Sequence, residues 1–256
     1  MIAIDTHAHL DHLENLDQAL NNARVAGVDI VALSMDVNSC RRNFEIKKNI
    51  TAPRIYLAMG IHPSEAKEND IETCVQLIRA HARELHAIGE IGLDFWYKEV
   101  RKDDAKKNEQ RKVFRALCEV AHELNLPTVV HARGTWKECF ETVRDIGITR
   151  AEFHWYSGPL DILKDILSAG YFISASPALA YSPPLRAAIE FAPAQQILIE
   201  TDCPVFFKAD EHDPGFKSEP QDVFRTLKAY CDLKHIDQAS ALHQLNDNAR
   251  RFFGLN

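Results

Sequence analysis

The chain has 256 residues, with 37 Asp and Glu against 30 Lys and Arg, a formal net charge of −7 and 46% hydrophobic residues. That length suits a single (β/α) barrel of roughly 250 residues, and the acidic balance excludes a protein that coats duplex nucleic acid through overall positive charge, though not a local nucleic-acid site. The longest apolar runs, 30–33 and 197–199, fall far short of the ~18 residues of a membrane span, and the charge at Asp5 breaks any secretory signal, so a cytoplasmic protein without membrane association is expected.

Along the chain, extended apolar runs alternate with helical periodicity. A strand at 2–5 precedes a helix at 15–26; strand 29–34 precedes helix 41–49; strand 54–59 precedes helix 71–84. Strand 87–90 leads to the clearest helix, 108–124, whose Val113, Phe114, Leu117, Val120, Ala121 and Leu124 form one apolar stripe. Strands 128–131, 151–154 and 171–174 then alternate with helices 136–145, 160–169 and 184–191. The eighth strand, 197–201, is followed by helices 220–231 and 237–253, read as the last barrel helix and a cap. Gly27, Gly147 and Gly170 stand where helices should stop. Eight such units without a linker, a GxGxxG or a Walker A motif predict one domain, 1–256, folded as an α/β (β/α)8 TIM barrel. The six cysteines include no CxxC pair and are read as thiols, mostly buried, rather than as a disulfide framework.

Chemistry collects where the strands end, which in a parallel barrel is the functional face. Strand 1 runs into Asp5-Thr6-His7-Ala8-His9, an HxH pair whose side chains leave an extended chain on one side. Strand 3 supplies His62, strand 4 Glu90, strand 5 His131, strand 6 His154 and strand 8 Asp202. Closure of the barrel sets Asp202 beside His7 and His9, and brings Glu90, His131 and His154 together, with Glu90 able to bridge the groups. Imidazole and carboxylate ligands suit Zn, Mn, Fe or Mg, and two clusters sharing a carboxylate suit a two-metal hydrolytic site.

These motifs resemble the TatD family of metal-dependent hydrolases and deoxyribonucleases, within the amidohydrolase-like barrels. The resemblance runs from Asp5-Thr6-His7-Ala8-His9-Leu10-Asp11, through Gly60-Ile61-His62-Pro63, Gly89-Glu90-Ile91-Gly92-Leu93-Asp94, Val130-His131-Ala132-Arg133 and Glu200-Thr201-Asp202-Cys203-Pro204, to Asn248-Ala249-Arg250-Arg251. It implies two divalent ions (Mg, Mn or Zn), one held by His7, His9, Glu90 and Asp202 and the other by Glu90, His131 and His154. It also implies Asp202 as general base or water-orienting carboxylate, and His62 as a substrate contact. The chain departs from the family at the rim. His154-Trp155-Tyr156-Ser157-Gly158 replaces a Cys-Phe-Ser-Gly segment, 174–179 lacks Thr-Phe-Lys, and Lys217-Ser218-Glu219-Pro220 replaces Arg-Asn-Glu-Pro. Those changes leave the ligands intact and bear on substrate choice.

The remaining candidates read two ways. Arg133 offers a planar fork for phosphate or a structural ion pair, and Trp155 with Tyr156 either walls a substrate pocket or covers the rim. Asp94 orients a ligand or caps a turn, while Asp5 and Glu200 support metal-bound histidines. The basic stretch 98–112 is a solvated face or a phosphate contact, with Trp96 and Tyr97 available to stack a base. The expected function is a metal-dependent phosphodiesterase, a deoxyribonuclease acting on DNA ends with 3′-to-5′ polarity and using Glu90 and Asp202 catalytically. The alternatives are hydrolysis of an ester or amide, such as an aminoacyl ester, and a metal-binding subunit active only with an assembly partner.

Overall fold

The computed structural model describes residues 2–255. Eight strands, β1 (Ala3–Ala8), β2 (Val28–Leu33), β3 (Ile55–Met59), β4 (Leu85–Asp94), β5 (Thr128–Arg133), β6 (Ala151–Phe153), β7 (Phe172–Ala175) and β8 (Ile197–Ile199), pair in parallel in that order. A parallel bridge between Ala8 and Cys203 completes the ring; there the His9 N–H donates to the Cys203 carbonyl and the Asp202 N–H to the His7 carbonyl, at 2.8 and 2.9 Å. Sequence neighbours are therefore strand neighbours, and the last strand meets the first. This is the (β/α)8 barrel that the alternation predicted.

The helices α1 (Leu16–Ala26), α2 (Val37–Asn49), α3 (Ile71–His81), α4 (Asp104–Leu124), α5 (Trp136–Ile146), α6 (Leu160–Ser168), α7 (Pro183–Phe191), α8 (Val223–Lys234) and α9 (Gln238–Phe253) complete the element order. Helix α4 shows how the sequence sets one. The Asp103 carboxylate accepts from the Ala105 and Lys106 N–H groups at its start, its apolar stripe is buried, and Asn125 ends it in the left-handed conformation. Helix α2 begins four residues before the predicted start, because Asp36 caps it by accepting from the Ser39 N–H. A short hairpin, β9 (Phe206–Phe207) with β10 (Phe216–Lys217), follows β8 and was not predicted. All six cysteines are free thiols, five of them buried.

Helix α9 closes the end of the barrel opposite the strand termini that carry the site. Its Ala249, Phe252 and Phe253 pack against Ile4, Val31, Leu33, Ala58, Val129, Phe172 and Leu198. Phe252 is fully buried and meets Phe172 and Phe253 with ring centroids 5.2 and 4.7 Å apart. Phe252→Ala is expected to cost about 3–5 kcal/mol through lost transfer energy and a cavity. For a chain this size that is a fall in Tm of roughly 10 °C, measured by calorimetry, while metal binding at the far end is retained.

Candidate active site and metal centre

At the other end the strand termini deliver the polar side chains. His7 lies in β1 and His9 just after it, Glu90 in β4, His131 in β5, His154 just after β6 and Asp202 after β8. Glycine is required for the approach of β4 to β5: a Cβ on Gly92, at φ +154°, would fall 1.9 Å from the His131 carbonyl oxygen. Register then pairs Gly92 with His131 and Asp94 with Arg133.

Glu90 sits at the centre. Its Oε2 lies 3.3 Å from both His7 Nε2 and His9 Nε2. Its Oε1 lies 2.8 Å from His154 Nε2, 2.9 Å from His131 Nδ1 and 3.5 Å from His62 Nε2. One carboxylate oxygen thus faces the β1 pair and the other faces the β5 and β6 histidines. Asp202 Oδ1 completes the first side, 3.6 Å from His7 Nε2 and 3.4 Å from His9 Nε2. The structure brings all six predicted ligands together. Ligand atoms of these six residues and of His62 fall into groups of His7, His9 and Asp202; His7, Glu90 and His154; and His62, Glu90 and His131, each within 4.8 Å.

The outer nitrogens of three imidazoles are occupied, which fixes what the inner ones can do. His9 Nδ1 donates to the Leu33 carbonyl, His131 Nε2 to Asp94 at 2.9 Å, and His154 Nδ1 to Glu200 at 3.4 Å. In the neutral rings this turns lone pairs inward, and His131 Nδ1 faces His154 Nε2 at 3.2 Å beside the Glu90 carboxylate. Facing lone pairs repel unless a cation lies among them, so the donor set fits a metal. Charge balance agrees. Burial pulls the His9 pKa down, but hydrogen bonds with Asp202 and Glu90 outweigh it and raise it to about 10. His131 and His154 are also raised against burial, and Glu90 and Asp202 stay below the ordinary carboxylate range despite burial because imidazoles surround them. The pocket stabilises positive charge.

His62 differs from the other histidines. Its Nδ1 accepts from the Ser64 N–H at 3.1 Å, which leaves the proton on Nε2, the atom facing Glu90 and His131. Burial lowers its pKa to about 3. It is a neutral donor pointed at the site, the form a substrate contact needs and a metal ligand does not.

Asp94 answers one open question from the sequence. Its Oδ2 holds His131 Nε2 and, 2.8 Å away, Arg133 Nε, while its Oδ1 accepts from the Trp96 N–H. Arg133 is therefore ion-paired, yet its side chain stays 43% exposed, stacks over Tyr97 at 4.8 Å and lines the mouth. The ion pair is present, and the side chain also reaches the mouth. Trp155 likewise lines the mouth while packing on Phe207 at 5.3 Å, and it adopts φ +42°, a left-handed conformation rare for so bulky a residue. Tyr156 is buried, its hydroxyl donating to the Pro159 carbonyl. The mouth is a cavity of about 580 Å³ that also touches Tyr97, Tyr181 and His12, the last two not singled out from sequence. Beneath it lies Glu152, also unforeseen: fully buried in β6, with burial and the nearby Glu200 holding its carboxyl well above the ordinary range.

Asp94→Asn keeps the shape but weakens its hold on His131 and Arg133. Metal affinity or activity should fall about 10–100-fold, read by metal titration alongside steady-state kinetics.

A family model described as TatD related DNase matches residues 4–254. MJ1582 of Methanocaldococcus jannaschii, named an uncharacterized metal-dependent hydrolase, is 31% identical over 256 residues, covering 98% of this chain and 96% of its own. The human protein named deoxyribonuclease TATDN3 is 24% identical over 263 residues, covering 98% of this chain and 94% of its own. Among solved structures, the TatD homolog YJJV of Escherichia coli K12 superposes with a TM-score of 0.87 at 23% identity, covering 99% of this chain and 98% of that one, which is a likeness of fold. With the matched region reaching from β1 to the end of α9, the chain belongs to the TatD-related DNase family of metal-dependent hydrolases.

Proposed function

We propose that this chain hydrolyses phosphodiester bonds at the ends of DNA strands, removing nucleotides from the 3′ end with two divalent ions, Mg, Mn or Zn. His7, His9, Glu90 and Asp202 would hold one ion, and Glu90, His131 and His154 the other. Such ions, when bound, polarise a phosphoryl oxygen and make water a better nucleophile near neutral pH. The observation that carries the reading is the pairing of this carboxylate and imidazole centre with two further donors, the Arg133 fork at the mouth and the buried His62 imidazole, in one cavity. A phosphodiester presents non-bridging oxygens that both donors suit. Asp202, ionised and at the cavity wall, accepts the proton from attacking water. His62 stays neutral at working pH and donates to the phosphate without changing charge.

The test is a degradation assay on single-stranded oligonucleotides labelled at either end, using the purified chain alone with added Mg or Mn. A 5′-labelled strand should shorten stepwise, and a 3′-labelled strand should lose its label at once. The opposite pattern reverses the polarity. No phosphodiester turnover with several metals, together with hydrolysis of aminoacyl esters or cyclic amides, overturns the substrate class.

A further inference from the structure

Trp96, in the loop after β4, is 60% exposed, and both its backbone and its ring are anchored. Its backbone N–H donates to Asp94 at 2.9 Å and its ring meets Trp136 edge-to-face, with centroids 5.7 Å apart. The indole rests directly on Gly134, where a Cβ would come within 2.3 Å of Nε1. Gly134 follows Arg133 in the chain and has φ +73°, so glycine serves both the turn and the contact. One carboxylate, Asp94, thereby fastens His131, Arg133 and Trp96.

Several cations near the ring are free to meet phosphate. Lys98, Arg101 and Lys102 on the same loop and Lys106 in the first turn of α4 are exposed and have no ion-pair partner among the described residues. Within the same span these four cations stand against Glu99, Asp103 and Asp104. Beyond Gly134, a second open cavity of about 570 Å³ is lined by Trp136, Lys137, Glu138, Glu141 and Pro159. A strand leaving the catalytic cavity past Arg133 therefore meets a packed, open ring with Lys98, Arg101 and Lys102 on the same loop.

We propose that Trp96 is a base-stacking platform for single-stranded DNA outside the catalytic cavity, with a phosphate of the bound strand on Arg133 and an unpaired base of the same strand on the open face of the indole. The proposal rests on the phosphodiesterase reading above. A duplex keeps its base faces covered, whereas an unpaired base of any identity can stack on an aromatic ring. The platform therefore selects single strands without reading sequence.

The test uses the full chain with Trp96→Ala and Trp96→Tyr. In EDTA, fluorescence anisotropy of a labelled ten-nucleotide single strand should show roughly tenfold weaker binding for Trp96→Ala, with much of the loss restored by Trp96→Tyr. Equal affinity of wild type and Trp96→Ala, or equal binding of duplex and single strand by wild type, overturns the platform. With metal, the ratio of kcat/KM on the ten-nucleotide strand to that on bis(p-nitrophenyl) phosphate should fall about tenfold in Trp96→Ala. An equal fall on both substrates overturns it. If wild type turns over neither substrate, the phosphodiesterase reading fails separately, and the anisotropy result still decides the platform.

Discussion

Glu90→Gln is expected to lower kcat/KM on a phosphodiester substrate by about 10³-fold or more, since removing the bridging ligand of the proposed two-ion centre should exceed the about 10–100-fold loss seen for outer partners of a metal site. The geometry explains the size. Oε2 faces His7 and His9 while Oε1 faces His131 and His154. An amide must turn its NH2 toward one of these sides, replacing an acceptor with a donor among imidazole lone pairs. Whichever way it lies, one half of the centre loses a ligand and both halves lose the shared charge. Circular dichroism and the thermal midpoint of the metal-free variant separate this local effect from unfolding, and kinetics across a metal titration measure it.

Asp202→Asn is the second large effect, with kcat expected to fall about 10²–10⁴-fold and KM to change less. The backbone here is fixed independently of the carboxylate: the Asp202 N–H donates to the His7 carbonyl, and the residue adopts φ +49°. Asparagine tolerates that conformation about as well as aspartate, so the substitution removes charge and proton acceptance while leaving the turn in place. A variant with kcat unchanged and KM raised would recast Asp202 as a binding residue only. Steady-state kinetics on a chromogenic phosphodiester separates the outcomes.

How far the sequence carried depends on the kind of interaction. The barrel was legible because Ile- and Val-rich runs alternate with 3.6-residue periodicity, both local patterns. The convergence of the six candidate ligands was legible because strand order alone places 1 beside 8, and 5 between 4 and 6. Boundaries were less so: β4 extends over Leu85–Asp94 rather than 87–90, because glycines that resemble a turn instead permit close packing against β5. The hairpin at Phe206–Phe207 and Phe216–Lys217 escaped notice because two-residue strands carry no period and Asp213-Pro214-Gly215 reads as a loop. The Nε2 proton of His62 depends on the Ser64 N–H in the turn that follows, and burial of Glu152 depends on neighbours from other strands. Arg133 remained open because ion pairing and exposure coexist there, which residue type alone does not reveal. The departures at Trp155 were read as concerning substrate, and the structure puts that ring at the mouth.

The acidic balance of −7 also takes on a local meaning. Glu90 and Asp202 contribute two of the negative charges and lie among imidazoles rather than on a repellent face. On the proposed reading, cations bound there would let the mouth attract phosphate while an acidic chain resists indiscriminate nucleic-acid binding elsewhere.

The central claim is a two-ion centre joined by Glu90. It is tested most directly by counting Mn bound per chain in wild type and Glu90→Gln by equilibrium dialysis with elemental analysis, alongside oligonucleotide cleavage in the same samples. The account predicts two ions per wild-type chain, loss of stoichiometric binding in Glu90→Gln, and cleavage that disappears with chelator and returns with Mn. Full Mn binding and undiminished cleavage by Glu90→Gln, or wild-type cleavage that persists in chelator, would contradict it.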